Sequence, residues 1–345
     1  MRRISCQELH QIPFRLHHAA AGDKITMPNG HNQLLYLSDN PAALMWQPLR
    51  RGFLRHWKGL CCHQPCRWIS EEAIFAACQP YQVISFDVFD TLLYREVERP
   101  VDVFLLLEVQ RRQMDFAQLR VKAEKDARSR YGGEVTLRQI YEHMAWQGIV
   151  ADVDEAVAAE LDMELRIVRP SSRMLAVVQK LLAQGKRVVA ISDMYLPAEA
   201  IRKLLANAGF PVPEQIFVSC EQGMGKANGA IFKRACEALG TTSVLHIGDN
   251  FEADVMGACR AGIDAAYGIN PHRPQQLQAV HSPSTTASSI YRSLVDQRLN
   301  AGRDIPDAAY GVGYTVTGFL LYGFCQWVHQ QQKLHGWDKV FFCGA

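Results

Sequence analysis

The chain has 345 residues, 48% of them from the AVILMFWYC set and 21% charged, with a formal net charge of +2. That length allows one large domain or two modest ones, and the composition is that of an ordinary soluble globular protein. Basic residues are scattered and the stretch 50–67 reads as a solvated face, so the balance excludes an electrostatic footprint for nucleic acid.

Ten cysteines are spread between Cys6 and Cys343 without a regular framework. No apolar run follows the polar stretch 1–10, so no secretory leader is expected. Dispersed thiols in a chain of this size read as reduced, and the expected compartment is cytoplasmic. Cys61, Cys62, His63 and Cys66 invite a zinc reading, with Cys78 the nearest candidate to complete it. Structural zinc usually takes two spaced pairs, so these residues are read as plain thiols in a short linker helix.

Residues 1–78 are weakly periodic, with turn signals at Pro28-Asn29-Gly30 and Asp39-Asn40-Pro41. They read as an irregular lead-in with one or two short helices, and no chemistry is assigned to them. From 79 to 270 short apolar runs alternate with helical stretches, which predicts an α/β core with a parallel sheet. The predicted strands are 82–86, 187–191, 215–219, 243–247 and 264–267; helices such as 173–184 and 198–208 lie between them. The connection after the first strand is far longer than one crossover helix needs. Its residues 98–170 read as four helices, at 101–113, 116–131, 137–147 and 152–168. Thr136 and Asp152 are expected N-caps and Pro170 the stop. The core is therefore 79–97 with 171–270, and 98–170 is an inserted α-helical module placed to act as a lid.

The region 271–345 opens with a Ser/Thr/Pro linker at 281–289. An uncharged stretch follows at 308–328, long enough to span a bilayer. Its four glycines, two threonines and Gln326 lower the hydropathy, and no Lys/Arg cluster flanks it. A buried amphipathic helix is expected there rather than a membrane span. The end, 339–343, carries a strand signal, as if a new α/β unit began.

Four features fall at the C-terminal ends of predicted strands, where open α/β sheets bind ligands. Ile84-Ser85-Phe86 runs into Asp87, then Val88-Phe89-Asp90-Thr91. A carboxylate there serves as nucleophile, metal ligand or simply a turn cap. Ile191 is followed by Ser192-Asp193, a hydroxyl suited to a phosphate oxygen or to a helix entry. Lys226 sits among glycines in Gly223-Met224-Gly225-Lys226, as a charge balance for a phosphorane or as a surface lysine. Val244-Leu245-His246-Ile247-Gly248-Asp249 leads to Asp254; the two aspartates suit one oxygen-ligated cation or an acidic helix start.

In this order and spacing the four features resemble the haloacid dehalogenase (HAD) superfamily over residues 79–270. The resemblance implies a Rossmann-like core and makes the helical insert the cap between motifs one and two. It implies Asp87 as nucleophile, Thr91 as the first-loop threonine, Ser192 and Lys226 as motifs two and three, and Asp249 with Asp254 as the acidic fourth. Mg2+ would then be held by Asp87, Asp249, Asp254 and the backbone carbonyl of Phe89. In that family's phosphatases the position of Phe89 is a second aspartate that protonates the leaving group and later activates water. Loss of such help costs about 10²–10⁴ in rate.

Three explanations stay open. Asp90, one residue out of register, substitutes; the substrate is an acyl or glycosyl phosphate with a good leaving group; or the domain no longer catalyses. Dehalogenases of the family also lack that aspartate, but they work without magnesium, so the Asp249/Asp254 pair argues against that reading. The strings Phe-Asp-Val-Phe-Asp-Thr-Leu-Leu and Ser-Asp-Met-Tyr-Leu-Pro, with 120–128 and 134–141, resemble more narrowly a predicted-hydrolase subfamily of large bacterial proteins. Those are encoded near surface-polysaccharide enzymes. By that resemblance 311–329 leads into a second HAD-like unit beginning at 339–343, which this chain cuts short.

The expected activity is Mg2+-dependent phosphoryl transfer or hydrolysis on a small phosphorylated metabolite, a sugar phosphate being one candidate. The alternative is a catalytically weak binding or scaffold domain in surface-polysaccharide assembly. No nucleic-acid or membrane partner is expected, and oligomeric state is not legible.

Overall fold

A computed structural model describes residues 34–36, 70–268, 285–301 and 307–340, so the cysteine–histidine group at 61–66 lies outside the described residues. The chain divides into two units, Met1–Ala301 and Gly302–Ala345.

In the larger unit, β1 (Leu34–Tyr36) precedes α1 (Glu71–Cys78), whose N-cap Ser70 accepts from the Ala73 amide at 3.1 Å. Next come β2 (Val83–Phe86), β3 (Leu93–Arg95) and α2 (Val103–Arg111). α3 (Phe116–Tyr131), α4 (Leu137–Trp146) and α5 (Val153–Ile167) follow, then β4 (Val168–Pro170) and α6 (Ser172–Ala183). The core resumes with β5 (Arg187–Ser192), α7 (Ala198–Asn207), β6 (Ile216–Val218), α8 (Ala230–Leu239), β7 (Val244–Gly248) and β8 (Asp264–Tyr267). α9 (Thr285–Asp296) continues into a wide helical turn, Gln297–Ala301, at the end of the unit.

Six strands form one parallel sheet in the order β1-β8-β7-β2-β5-β6. β2 is central, and the chain leaves it on one side for β5 and on the other for β7. The ends of these three strands therefore open a crevice at the point where the order reverses, the usual ligand site of such sheets. Strand side chains alternate between faces. Ile84, Phe86, Val188 and Ala190 join the apolar cluster that also takes in Ile74 and Leu181. Val83, Val189, Val244 and Ala265 join the cluster on the opposite face, with Ile231 and Phe232 of α8. The fold is thus an α/β core with helices on both faces and an inserted helical cap, as the spacing of apolar runs predicts. β1 is an edge strand that the weak periodicity of 1–78 conceals.

The cap differs from expectation at its neck. Val168–Pro170, read as a helix end, pairs antiparallel with Leu93–Arg95. The two crossings between core and cap are thereby zipped together; three-residue strands are too short to leave a period in sequence. The helix expected at 101–113 shortens to Val103–Arg111: Pro100–Asp102 form a 3-10 turn ahead of it, and Arg112 ends it in left-handed backbone (φ 53°). Thr136 and Asp152 cap as expected: the Gln139 side chain answers the Thr136 amide at 2.9 Å, and Asp152 accepts from the Glu155 amide at 3.0 Å. Inside the cap, Arg120 donates twice to Glu160, each at 2.9 Å, and Tyr141 donates its hydroxyl to the same carboxylate at 2.7 Å.

The expected linker at 281–289 is corrected: 285–289 belong to α9, whose serines grip the neck, and 281–284 lie outside the described residues. Ser289 Oγ accepts the Glu98 amide at 2.8 Å and donates to Asp102 at 2.7 Å. Ser293 Oγ and Gln297 Nε2 both donate to the Arg95 carbonyl at 2.7 Å. Small hydroxyls that look like linker composition here satisfy buried backbone groups.

In the smaller unit, helical turns from Ala308 continue through Gly313–Thr317 into α10 (Gly318–His335). The buried amphipathic helix expected here is corrected: no residue of 313–335 is buried. Phe319, Leu320, Leu321 and Tyr322 are consecutive, so at 100° per residue they point all around the axis, and each is more than half exposed. Among the described residues no helix is long and apolar enough to cross a membrane. Lys339 and Val340 lie in no strand, and the rest of the expected terminal strand lies outside the described residues.

Arg120→Ala leaves Glu160 charged and buried without its cation, and is expected to cost about 3–5 kcal/mol in denaturant unfolding. Replacing both by Met should recover most of that loss. Equal losses for the single and double variants would contradict the pairing.

Candidate active site

Asp87 and Asp249 each follow a strand that stops. β2 ends at Phe86, and the Asp87 amide still donates to the Ile247 carbonyl of β7 at 2.8 Å before the chain turns. Asp90 takes left-handed backbone (φ 60°) in that turn, which a short polar side chain tolerates. The register pairs Phe86 with both Ala190 and Ile247. Continuing it puts Asp87 beside Ile191 and Gly248, so Ser192 and Asp249 stand one step beyond, at the crest of the sheet.

Asp254 reaches the same crest from a wide helical turn, Phe251–Met256. Such turns recur at functional sites because they re-aim one side chain. Gly248 makes room for it: a Cβ there would lie 2.3 Å from the Asp254 carboxyl carbon. The Asn250 amide donates to Asp254 Oδ2 at 2.8 Å. Lys226 arrives on the loop after β6. Its amide donates to both oxygens of Asp193, at 2.9 and 3.0 Å, and a Cβ at Gly257 would lie 2.1 Å from its carbonyl oxygen.

The side chains then converge. One carboxylate oxygen each from Asp87, Asp249 and Asp254 lie within 4.8 Å of one another. Lys226 Nζ donates to Asp87 and, at 2.7 Å, to Asp254 Oδ1. Lys226 is 2% exposed, Asp254 1% and Asp87 8%, so these charges meet largely out of water. Burial pushes the Asp87 carboxyl up to about 7; the charge of Asp254 adds to the rise, and Lys226 opposes it. Asp254 also pays a burial penalty, but Lys226 and His246 outweigh it and hold its carboxyl well below the ordinary range. Lys226, facing both, is held above the ordinary lysine range despite burial.

Of the residues named from sequence, Asp87, Lys226, Asp249 and Asp254 are brought together. Ser192 is buried at the end of β5. Thr91 is buried too, and its Oγ1 has no hydrogen-bond partner among the described residues. Asp90 is half-buried, and its charge is felt by Tyr94 and Arg95. Phe89 lies under a cation: the Arg95 guanidinium carbon is 3.9 Å from its ring centre. Arg95 is itself held by Glu164 of the cap through three contacts of 2.9–3.1 Å.

Two parts of the site went unread in sequence. Asp193 anchors the Lys226 loop. Ser85 and His246 form a buried pair on adjacent strands, Oγ to Nδ1 at 2.6 Å, with His246 Nε2 3.2 Å from Asp254 Oδ1. Burial moves the imidazole below its ordinary range. The available signal was a polar residue set within each of two apolar strands, at positions the register makes neighbours.

A family model described as haloacid dehalogenase-like hydrolase matches residues 81–262, more than half of the chain. Pyrimidine 5'-nucleotidase YjjG from Escherichia coli (strain K12) is 33% identical over 79 residues, which are 22% of this chain and 34% of that protein. The match thus spans about a third of that relative's length. Among solved structures, the magnesium-bound HAD-hydrolase YfnB from Bacillus subtilis is similar at 19% identity and a TM-score of 0.41, covering 55% of this chain and 89% of that one. The 2-haloacid dehalogenase from Pseudomonas syringae pv. Tomato DC3000 is similar at 19% identity and a TM-score of 0.40, covering 59% and 90%.

The raised Asp87 pKa has a consequence for stability. A carboxyl that titrates near 7 when folded and near about 3.9 when unfolded binds its proton more tightly in the native state. Its contribution is full below about pH 4 and is lost as pH rises through 7. In EDTA, Asp87→Asn should therefore gain melting temperature relative to the parent chain between pH 4 and 7.5, with the gap widening as pH rises. A constant gap would show that Asp87 is not the buried, raised carboxyl.

Proposed function

Because the chain belongs to the haloacid dehalogenase-like hydrolase family, we propose that it hydrolyses or transfers the phosphoryl group of a small metabolite through an aspartyl-phosphate on Asp87. One observation carries this reading: three carboxylates from separate elements and one lysine converge at the sheet's crest, with one oxygen from each carboxylate inside 4.8 Å. Three carboxylates, two of them buried, against a single ammonium leave excess negative charge, a costly arrangement unless a cation offsets it. All the donors are hard oxygens, the kind Mg2+ prefers. Asp87, Asp249 and Asp254, with the Phe89 carbonyl, are the residues to hold it. When bound, Mg2+ neutralises phosphate oxygens and aligns the phosphoryl group.

The chain's own residues do the rest. A carboxylate oxygen of Asp87 bonds to phosphorus as the bond from phosphorus to the leaving oxygen breaks. Lys226, already fixed between Asp87 and Asp254, balances charge on the equatorial oxygens. The Ser192 hydroxyl and the Thr91 hydroxyl supply donors to the same oxygens. Water then opens the acyl phosphate and returns Asp87 as a carboxylate.

Phe89 decides the substrate's leaving group. With an aromatic ring where an acid would protonate the departing oxygen, an acyl or glycosyl phosphate suits the site better than a plain ester. Asp90 is the carboxylate nearest in sequence to take that part. Sugar phosphates and nucleotides are the metabolite classes to test, the latter because of the nucleotidase relative. A second reading, a weakly catalytic phosphate-binding or scaffold domain, draws on the Arg95–Phe89 stack, which fills the acid position with a ring held in place. The cytoplasm is the proposed compartment.

The test is turnover of acetyl phosphate, p-nitrophenyl phosphate, sugar phosphates and nucleoside monophosphates, with magnesium and with EDTA. Acetyl phosphate should be cleaved fastest, and both EDTA and Asp87→Asn should abolish cleavage. Phe89→Asp should raise turnover of plain esters toward the 10²–10⁴-fold span of acid–base help. Turnover that survives Asp87→Asn would remove the proposal. Tight phosphate-ester binding with no turnover would favour the second reading.

A further inference from the structure

His246 stands in the middle of an apolar strand, fully buried, beside an equally buried serine on the neighbouring strand. The proposed chemistry uses neither. A buried imidazole and hydroxyl are costly unless both find partners, and here they form a chain that ends on a carboxylate. Ser85 Oγ is 2.6 Å from His246 Nδ1, and His246 Nε2 is 3.2 Å from Asp254 Oδ1. Phe232 packs edge-on to the imidazole, ring centres 4.7 Å apart, and fixes its plane.

We propose that His246 is a positioning residue: held in orientation by Ser85 and Phe232, it sets the rotation of the Asp254 carboxylate and so prepares that residue to bind a divalent cation. The inference rests on the reading that Asp87, Asp249 and Asp254 form a cation site. A carboxylate only accepts hydrogen bonds, so Nε2 carries a hydrogen toward Asp254 whatever the charge of the ring. In the neutral ring Nδ1 then presents its lone pair to Ser85, which donates.

The distribution of donors on Asp254 gives the chain its effect. Oδ1 accepts from both Lys226 Nζ and His246 Nε2, while Oδ2 accepts from the Asn250 amide. A carboxylate oxygen has room for about two donors. Oδ1 is therefore filled, and Oδ2 keeps acceptor capacity. Without His246 the carboxylate retains the lysine and the backbone amide but loses the contact that fixes its plane from the sheet side. Partners of metal-binding carboxylates commonly govern affinity in this way, by about 10–100-fold.

The test is calorimetric titration of the full chain with Mn2+ after removal of bound metal, alongside thermal melting of the metal-free proteins. His246→Leu should weaken Mn2+ binding by about 10–100-fold. His246→Gln, whose side-chain amide can place an N–H where Nε2 now lies, should restore binding close to that of the parent. Ser85→Ala should fall between the two. A folded His246→Leu chain that binds Mn2+ like the parent overturns the proposal, as does a Gln variant weakened as much as Leu. If His246→Leu does not fold, Ser85→Ala decides: unchanged affinity there overturns the proposal. A parent chain that takes up no Mn2+ overturns the cation site itself, which separates that failure from the loss of the histidine's role alone.

Discussion

The site depends on keeping three carboxylates close together, two of them buried. Asp87, Asp249 and Asp254 come from two strand ends and one helical turn, and mutual repulsion would drive such a group apart or protonate it. Lys226 is the counterweight, in contact with two of the three. Much of the surrounding backbone serves that contact. Asp193 takes the Lys226 amide, Gly257 lets the lysine's carbonyl approach, and Gly248 leaves Asp254 the space it fills. Near the crest the fold puts up with buried charge to hold one geometry, an arrangement that is weak as a source of stability and strong as preorganisation.

The cap reaches the first-strand loop through one arginine. Phe89 stacks beneath Arg95, and Arg95 is gripped by Glu164 near the end of α5. The same Arg95 offers its carbonyl to Ser293 and Gln297 from beyond the matched domain. Phe89 is thus tied through one arginine to the cap, to the neck strands and to α9. The Phe89 ring is thereby covered by a cation. An account of the chemistry has to treat Phe89 and Arg95 as one unit.

How much of this was legible depended on period and length. The central strands showed because each is an apolar run bounded by turn residues, and Asp264–Tyr267 appears with the expected limits. Phe116–Tyr131 also has the expected limits. Convergence of Asp87, Lys226 and the two later aspartates was an expectation from their places at strand ends together with the resemblance to the HAD superfamily. The β3–β4 neck was illegible, since three residues carry no pattern and their partners lie far apart in sequence. α9 was hidden because its serines look like linker composition until the backbone groups they satisfy are known. The helix at 318–335 misled for another reason: an uncharged sequence implies burial only if its apolar residues share a face, and Phe319–Tyr322 do not. His246 was in plain view, but its role needed the register that sets it beside Ser85.

The central claim is that Asp87 bonds covalently to phosphorus. Acid-quenching the chain during turnover of acetyl phosphate with magnesium, then mapping peptides by mass spectrometry, tests it most directly. The account predicts the added mass of one phosphoryl group on the peptide containing Asp87, labile to hydroxylamine and absent from Asp87→Asn. A phosphoryl group on any other residue, or steady turnover with no labelled peptide, would contradict it.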